Sequence, residues 1–79
     1  MVVYLKAGTW LRERLKPDID HFTRRVEVPE GSSIKEILEG IGMNPALVAF
    51  VYTEGKVERI DYILSDGQTI TLQPPVSGG

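Results

Sequence analysis

Residues 33–42 read SIKEILEGIG and carry the clearest structural pattern in the chain. Their apolar positions follow the spacing i, i+3, i+4 and i+7, which places them on one face of an α-helix. These positions are Ile34, Ile37, Leu38 and Ile41. Ser33 and Glu36 form a capping box, in which each side chain accepts a hydrogen bond from the backbone of the other residue. With Gly42 placed to end it, the sequence predicts an amphipathic helix from about Ser33 to Ile41 that packs against a sheet.

Two β-strands are predicted upstream of this helix. Residues 2–7, VVYLKA, are rich in β-forming residues. Phe22, Val26 and Val28 alternate with polar residues, which is the period expected for a strand with one face in the core and one in water. We expect these two strands to pair antiparallel, with a short helical turn at residues 9–15 in the loop that joins them.

Strand patterns return after the helix. Residues 47–52, LVAFVY, are apolar on both faces, and the Glu-Gly pair at residues 54–55 suits a tight reversal into a short strand at residues 57–59. Residues 69–73 alternate again. This order predicts an α+β fold with a mixed sheet of four or five strands and one main helix packed on one face. The first and last strands are expected in the middle of the sheet.

The composition predicts one small domain. The chain has 79 residues, of which 42% are hydrophobic and 25% charged, with a formal net charge of −2 and no cysteine. A domain of this size buries only about 60% of its unfolded surface, which leaves little room for an enclosed active site. The charge offers no general attraction for nucleic acid or anionic lipid. The apolar runs are too short for a membrane span or a signal peptide, so we expect a cytoplasmic protein with no nucleic-acid or membrane partner.

Residues 74–79, PPVSGG, differ in character from the rest of the chain. We therefore divide the chain into a domain at residues 1–73 and a flexible C-terminal tail at residues 74–79. The two prolines end the last strand because they cannot donate to its ladder. Six extended residues reach roughly 20 Å, enough to carry a terminal carboxylate well inside another protein. A frayed, inert end is the alternative interpretation.

These features resemble a known family, the ubiquitin-like β-grasp sulfur carriers. The family includes the small subunit of molybdopterin synthase and the sulfur carrier of thiamine biosynthesis. The resemblance covers nearly the whole chain and rests on the strand order, the helix that begins at Ser33, the turn LSDGQ at residues 64–68 and the ending PPVSGG. Gln68 stands where the family usually has an acidic residue, and Gln73 where the molybdopterin type often has an aromatic one.

The resemblance implies a chemistry centred on Gly79. In such families an ATP-dependent enzyme adenylates the terminal glycine carboxylate, and a sulfur donor then displaces AMP to leave a thiocarboxylate. Gly79 would be the reacting residue, and Gly78 would let the tail enter the partner's site. The chain itself would bind no cofactor and would not be an enzyme, since the adenylating partner uses the ATP. A sulfur-accepting synthase of molybdopterin or thiamine biosynthesis, or of a related pathway, would be the second partner.

Two other functions stay open at this point. A ubiquitin-like protein modifier would use the same activated terminus but would join Gly79 to a lysine through an isopeptide bond. A non-catalytic interaction domain would leave the tail unmodified.

An apolar docking surface near the tail is also predicted. One helix covers one face of the sheet, so the other face must be polar, covered or used for binding. Phe50 and Leu72 are the candidate partner contacts on the strands, although both also suit the core. The predicted contacts in the tail are Pro74, Pro75, Val76, Ser77 and Gly78.

His21 lies close in sequence to Asp18 and Asp20, which raises the alternative of a metal or acid–base site. Such loop residues are more often solvated, so no metal site is predicted.

Overall fold

Five strands form one mixed sheet in the computed structural model, which describes residues 1–75. They are β1 (Val2–Lys6), β2 (Thr23–Glu27), β3 (Phe50–Thr53), β4 (Lys56–Glu58) and β5 (Thr69–Gln73). The order across the sheet is β2-β1-β5-β3-β4. β1 and β5 run parallel, and the other neighbouring pairs are antiparallel. The first and last strands are therefore interior, as the sequence predicts.

Two α-helices contribute to the core, α1 (Thr9–Leu15) and α2 (Ile34–Gly40). The predicted helical turn at residues 9–15 is thus a short helix. The fully buried side chains of the two helices and the sheet belong to one apolar cluster. Its largest members are Leu5, Leu11, Leu15, Ile34, Ile37, Leu38, Ile70 and Leu72. The helices lie on one face of the sheet and leave the other face open, because the strand residues in this cluster share a single face.

The predicted capping box begins α2. The Glu36 N–H donates to Ser33 Oγ at 3.2 Å, and the Ser33 N–H donates to Glu36 Oε1 at 3.0 Å. That backbone hydrogen bond to the carboxylate lowers the pKa of Glu36 from its ordinary value. The helix ends as predicted, because Gly42 adopts a φ of +79°, which is accessible to glycine at little cost.

The structure corrects the predicted position of Phe22. This residue was expected on the core face of the second strand, but its side chain is 49% exposed and β2 begins one residue later. The Phe22 N–H donates to Asp20 Oδ1 at 2.8 Å. This local hydrogen bond turns the chain ahead of the strand, so the alternation seen in the sequence does not extend to Phe22.

The predicted strand at residues 47–52 is also shorter than expected. Asn44 Oδ1 accepts a hydrogen bond from the Ala46 N–H at 3.0 Å, and Pro45 opens a 3₁₀ turn, Pro45–Leu47. Proline is well suited to this first position because its φ is already fixed. The chain enters the sheet only afterwards, and β3 begins at Phe50.

Replacement of Leu38 by alanine should lower the free energy of unfolding by about 2–5 kcal/mol. The Leu38 side chain is 0% exposed, so its removal leaves a cavity beneath α2. Urea denaturation measures the change. Ile63→Ala is the matched aliphatic control, because Ile63 is 53% exposed and its loss should stay within about 0.5 kcal/mol. Equal effects of the two substitutions would contradict the packing of α2 on the sheet.

The capping box should make part of the stability sensitive to acid. Because the pKa of Glu36 is lowered in the folded state, its contribution is fully present above the ordinary glutamate pKa and is lost as the pH falls through the lower folded-state value. Glu36→Gln keeps an acceptor oxygen but does not titrate, so this part of the pH dependence should disappear. The free energy of unfolding, measured by urea denaturation from neutral to acid pH, tests this. Glu39→Gln, outside the box on the same helix, should retain the wild-type profile.

Candidate docking face and the base of the tail

The tail leaves the sheet from its central strand. β1 and β5 are parallel and end at the same edge, β1 at Lys6 and β5 at Gln73. The Gln73 C=O accepts a hydrogen bond from the Ala49 N–H at 2.8 Å, so pairing with the chain leading into β3 continues to the last residue of β5. Pro74 follows as a half-buried residue and Pro75 as an exposed one. β5 is therefore paired on both sides up to Thr71 and on the β3 side up to Gln73.

The predicted residues Val76, Ser77, Gly78 and Gly79 lie outside the described residues. The role of Gly79 as the reacting residue and the partner contacts of the other three stay predictions. The same holds for the division of the chain into a domain and a flexible tail.

An aromatic patch occupies the open face beside the base of the tail. We give this name to Phe50, Tyr52 and Val57. The Phe50 and Tyr52 rings meet edge to face, with centroids 5.5 Å apart. Tyr52 is 42% exposed and pairs with Val57, which is 58% exposed. Phe50 is half-buried and pairs with Gln73. Exposed apolar side chains therefore lie on the open face close to Gln73, and their contact with partners stays a prediction.

Leu72 does not belong to this patch. Its side chain is 1% exposed, and it pairs with Val51, which is 0% exposed. Because side chains alternate along a strand, Thr71 and Gln73 stand on the open face while Leu72 points into the core. The structure thus corrects the prediction that Leu72 contacts a partner, because its side chain offers no accessible surface.

A shallow recess of about 310 Å³ lies where β1 ends, and sequence reasoning did not anticipate it. It is lined by Lys6, Ala7, Gly8, Phe22 and Thr71. The Arg12 guanidinium lies 5.5 Å from the centroid of the Phe22 ring, a distance typical of a cation–π contact. The recess therefore combines an exposed aromatic ring with two exposed cations, Lys6 and Arg12. An aspartate two residues before Phe22 was the signal in the sequence that could have placed Phe22 outside the core, because aspartate readily hydrogen-bonds the backbone two residues on.

The turn before β5 fixes this strand against β1. The Val2 N–H donates to Asp66 Oδ1 at 2.7 Å, and the Gly67 N–H donates to the Val2 C=O at 2.7 Å. The Asp66 carboxylate therefore bonds the start of the first strand rather than the backbone of its own turn. Gly67 has a φ of +82°, a conformation that L-residues with a side chain rarely adopt.

The hydrogen bonds of Gln68 explain why this chain has an amide where the sulfur-carrier family usually has an acidic residue. Its Oε1 accepts from the Ser65 N–H at 2.9 Å, and its Nε2 donates to Thr53 Oγ1 at 2.8 Å and to the Tyr62 hydroxyl at 3.1 Å. The side chain is buried, and a carboxylate would lack the amide's donors. The amide thus connects the turn to β3 and holds the strand that leads into the tail.

The carboxylates near His21 serve the loop that precedes β2. Asp18 Oδ1 accepts from the Arg25 N–H at 2.9 Å, and Asp20 Oδ1 accepts from the Phe22 N–H at 2.8 Å. The latter bond lowers the pKa of Asp20 from its ordinary value. Within residues 1–75, the structure shows no group of three or more histidine, aspartate or glutamate side chains placed to hold a metal ion. Over the same residues, no helix has the length and apolar character needed to cross a membrane.

The five-stranded mixed sheet with helices on one face defines a small ubiquitin-like β-grasp protein, and two solved structures share this fold. SAMP1 from Haloferax volcanii superposes with a TM-score of 0.70 and 24% sequence identity, covering 100% of both chains. A putative molybdopterin converting factor, subunit 1, from Pyrococcus furiosus gives a TM-score of 0.68 and 20% identity, covering 95% of this chain and 98% of that chain. At these identities the likeness shows the fold alone.

The sequence itself identifies the family. The model of the ThiS family matches residues 9–79, which is most of the chain. The chain therefore belongs to the ThiS family, as the resemblance in sequence predicted. Members of this family are small sulfur-carrier subunits that work with partner enzymes. A comparison with curated proteins gives no significant match.

Proposed function

We propose that this protein is a sulfur carrier whose Gly79 carboxylate is adenylated by a partner enzyme and then converted to a thiocarboxylate. The observation that carries the proposal is the match to the ThiS family, which extends through Gly78 and Gly79. The chain acts as the substrate of its partners rather than as a catalyst, and its place of action is the cytoplasm.

The chemistry follows from the weakness of a carboxylate as an electrophile. A carboxylate oxygen of Gly79 attacks the α-phosphorus of ATP, and pyrophosphate leaves. A sulfur nucleophile then attacks the activated acyl carbon, and AMP leaves with the electron pair of the broken C–O bond. Sulfide as the nucleophile leaves the Gly79 thiocarboxylate directly. A persulfide donor instead leaves an acyl disulfide, and a thiol that attacks the donor's sulfur then releases the thiocarboxylate and forms a disulfide on the donor. A synthase of molybdopterin or thiamine biosynthesis, or of a related pathway, receives this sulfur.

Residues 74–79 act in this proposal as an extended tail that reaches into the partner while the domain stays outside. The small side chains of Ser77, Gly78 and Gly79 suit a narrow channel, and Pro74 and Pro75 favour an extended start. Because β5 lies between β1 and β3, the tail starts from the interior of the sheet. Val76 is proposed to contact the partner at the mouth of the channel.

The open face supports docking of these partners. The aromatic patch lies beside Gln73, and the recess with Lys6 and Arg12 lies at the same edge. An exposed aromatic cluster next to cations suits a partner surface that carries apolar side chains and carboxylates. Phe50 is proposed as a partner contact, as predicted from the sequence. Tyr52 and Val57 are proposed in place of Leu72, whose side chain is buried.

Extension of the chain by one residue after Gly79 should abolish adenylation. The added residue moves the carboxylate by roughly 3.5 Å, and a misplacement of about 1 Å already costs on the order of a hundredfold in rate. ATP–pyrophosphate exchange with the adenylating enzyme from the same genome measures the loss. Ser77→Ala is the control and should retain exchange, and thermal melts should show both variants folded as the wild type. Normal exchange by the extended protein would contradict the proposal.

The product is identified by intact-mass spectrometry of the same proteins recovered from their native cells. The wild-type chain should carry one sulfur in place of one oxygen, and the extended chain should not. A wild-type population linked to lysines of other proteins, with no sulfur-bearing form, would instead assign the chain as a protein modifier.

Tyr52→Glu should weaken the complex with the adenylating enzyme by about tenfold or more, because it places a charge in the centre of the docking patch. Tyr52 is exposed, so the melting temperature should change little. Ile63→Glu is the matched control, since Ile63 is similarly exposed but lies beside Ser33 at the start of α2. Calorimetric titration gives both affinities. Equal weakening by the two substitutions would remove the aromatic patch from the interface.

A further inference from the structure

Along half of the outer edge of β2, the backbone groups make no hydrogen bond within the described residues. β2 is an edge strand that pairs with β1 on one side. Just beyond its two ends, the Phe22 C=O accepts a hydrogen bond from the Ala7 N–H at 3.0 Å, and the Val28 N–H donates one to the Met1 C=O at 2.9 Å. Ala7 and Met1 flank β1. In an antiparallel pair every second residue bonds to the partner strand. The backbone groups of Thr23, Arg25 and Glu27 therefore point away from the sheet.

The loop before β2 covers only the first part of this edge. The Thr23 C=O accepts from the N–H groups of Asp18 and Ile19, both at 3.0 Å, and the Arg25 N–H donates to Asp18 Oδ1. Beyond that point, no hydrogen bond among the described residues reaches the Arg25 C=O or the N–H and C=O of Glu27. An acceptor, a donor and a second acceptor thus stand in the alternating order that an added strand would need.

A groove lies beside these free groups. β2 and α2 enclose a volume of about 330 Å³, and its apolar lining includes Val26, Val28, Ile37 and Ile41. Gly40 lies in the lining, and a Cβ placed on it would meet no heavy atom within 4 Å. The groove therefore has room for an apolar side chain from outside the molecule.

Both charged residues in the groove lining are glutamates, Glu27 and Glu36. Glu27 is already paired with the exposed Arg25 guanidinium at 3.2 Å, so Glu36 is the lining carboxylate that no lysine or arginine of residues 1–75 pairs with. The Glu36 carboxylate is held by the Ser33 N–H as part of the capping box, so it has a fixed position at the rim. A positive group beside the apolar side chain would complement it.

We propose that the free edge of β2 and this groove bind an extended segment of another protein that carries a branched apolar residue and an adjacent lysine or arginine. The segment pairs with the Arg25 C=O and with Glu27 as an added strand, directs its apolar side chain toward Ile37 and Ile41, and places its cation at Glu36. This is β-augmentation, in which backbone hydrogen bonds contribute affinity and the side-chain pocket contributes specificity. The site is separate from the sulfur chemistry, because β1 stands between β2 and the strand that carries the tail.

The probe is the synthetic peptide acetyl-KVIVK-amide, added to the full-length ¹⁵N-labelled protein and followed by NMR. We expect the largest shifts at Glu27 and along the Ile37 side of α2, with slowed hydrogen exchange of the Glu27 amide. The peptide acetyl-EVIVE-amide should bind at least about tenfold more weakly, a difference of about 1.4 kcal/mol.

Two substitutions block the site in different ways. Gly40→Leu fills the groove, and Glu27→Pro removes the outward N–H without removing a bond to β1. Each substitution should weaken peptide binding by about tenfold or more, while the NMR spectrum stays that of a folded protein. Glu39→Leu, on the same helix but outside the groove lining, should keep wild-type affinity.

Unchanged affinity of Gly40→Leu and Glu27→Pro would overturn the proposal, as would shifts confined to the aromatic patch. A dimer seen by sedimentation without peptide and dissolved by Glu27→Pro would also overturn it, because the edge would then belong to a second copy of this chain. ATP–pyrophosphate exchange by Glu27→Pro should equal that of the wild type. Failure of the peptide site is thus distinguishable from failure of the sulfur-carrier function.

Discussion

The parallel pairing of β1 with β5 is the contact on which the rest of the structure depends. Parallel neighbours cannot be joined by a tight turn, so the whole chain between Lys6 and Thr69 forms the connection between them. Asp66 and Gly67 fix the pairing by two short hydrogen bonds to Val2. That register places β5 in the centre of the sheet, where β3 supports it from the other side. The point at which the chain leaves the sheet after Gln73 is therefore a consequence of the sheet order.

The open face follows from the size of the chain. Both α-helices bury their apolar residues in one cluster on one side of the sheet, and the described chain holds no third α-helix to cover the other side. Polar residues occupy much of that side, but the aromatic or apolar side chains of Phe50, Tyr52 and Val57 also lie there. Exposed aromatic side chains reduce solubility unless a partner covers them. Their position beside the last residue of β5 fits the proposed docking of partner enzymes that act on the tail.

Local signals in the sequence predicted the elements whose structure is locally determined. The helix after Ser33 was predicted because its cap and its apolar period lie within ten residues of each other. Phe22 was misplaced because a period of two cannot reveal the hydrogen bond to Asp20 that turns the chain. Leu72 and Phe50 could not be assigned to opposite faces from sequence, because the pairing of Leu72 with Val51 and of Phe50 with Gln73 is a matter of register between distant strands. The recess at Phe22 was missed for the same reason, since it joins residues from three separate segments.

With the proposed chemistry at Gly79, this arrangement would separate stability from reactivity. A domain of this size has little free energy of unfolding to spare, and a reactive carboxylate inside it would add the cost of burying a charge. A tail leaves the core free of that cost. The core residues Leu5, Ile70 and Leu72 then serve packing alone, while the open face and the tail are free to match partners. Because β2 lies at the edge of the sheet and β5 at its centre, a strand bound at β2 would leave the aromatic patch uncovered. The two surfaces can therefore be occupied at the same time, which would let a second protein accompany the carrier while its terminus is being loaded.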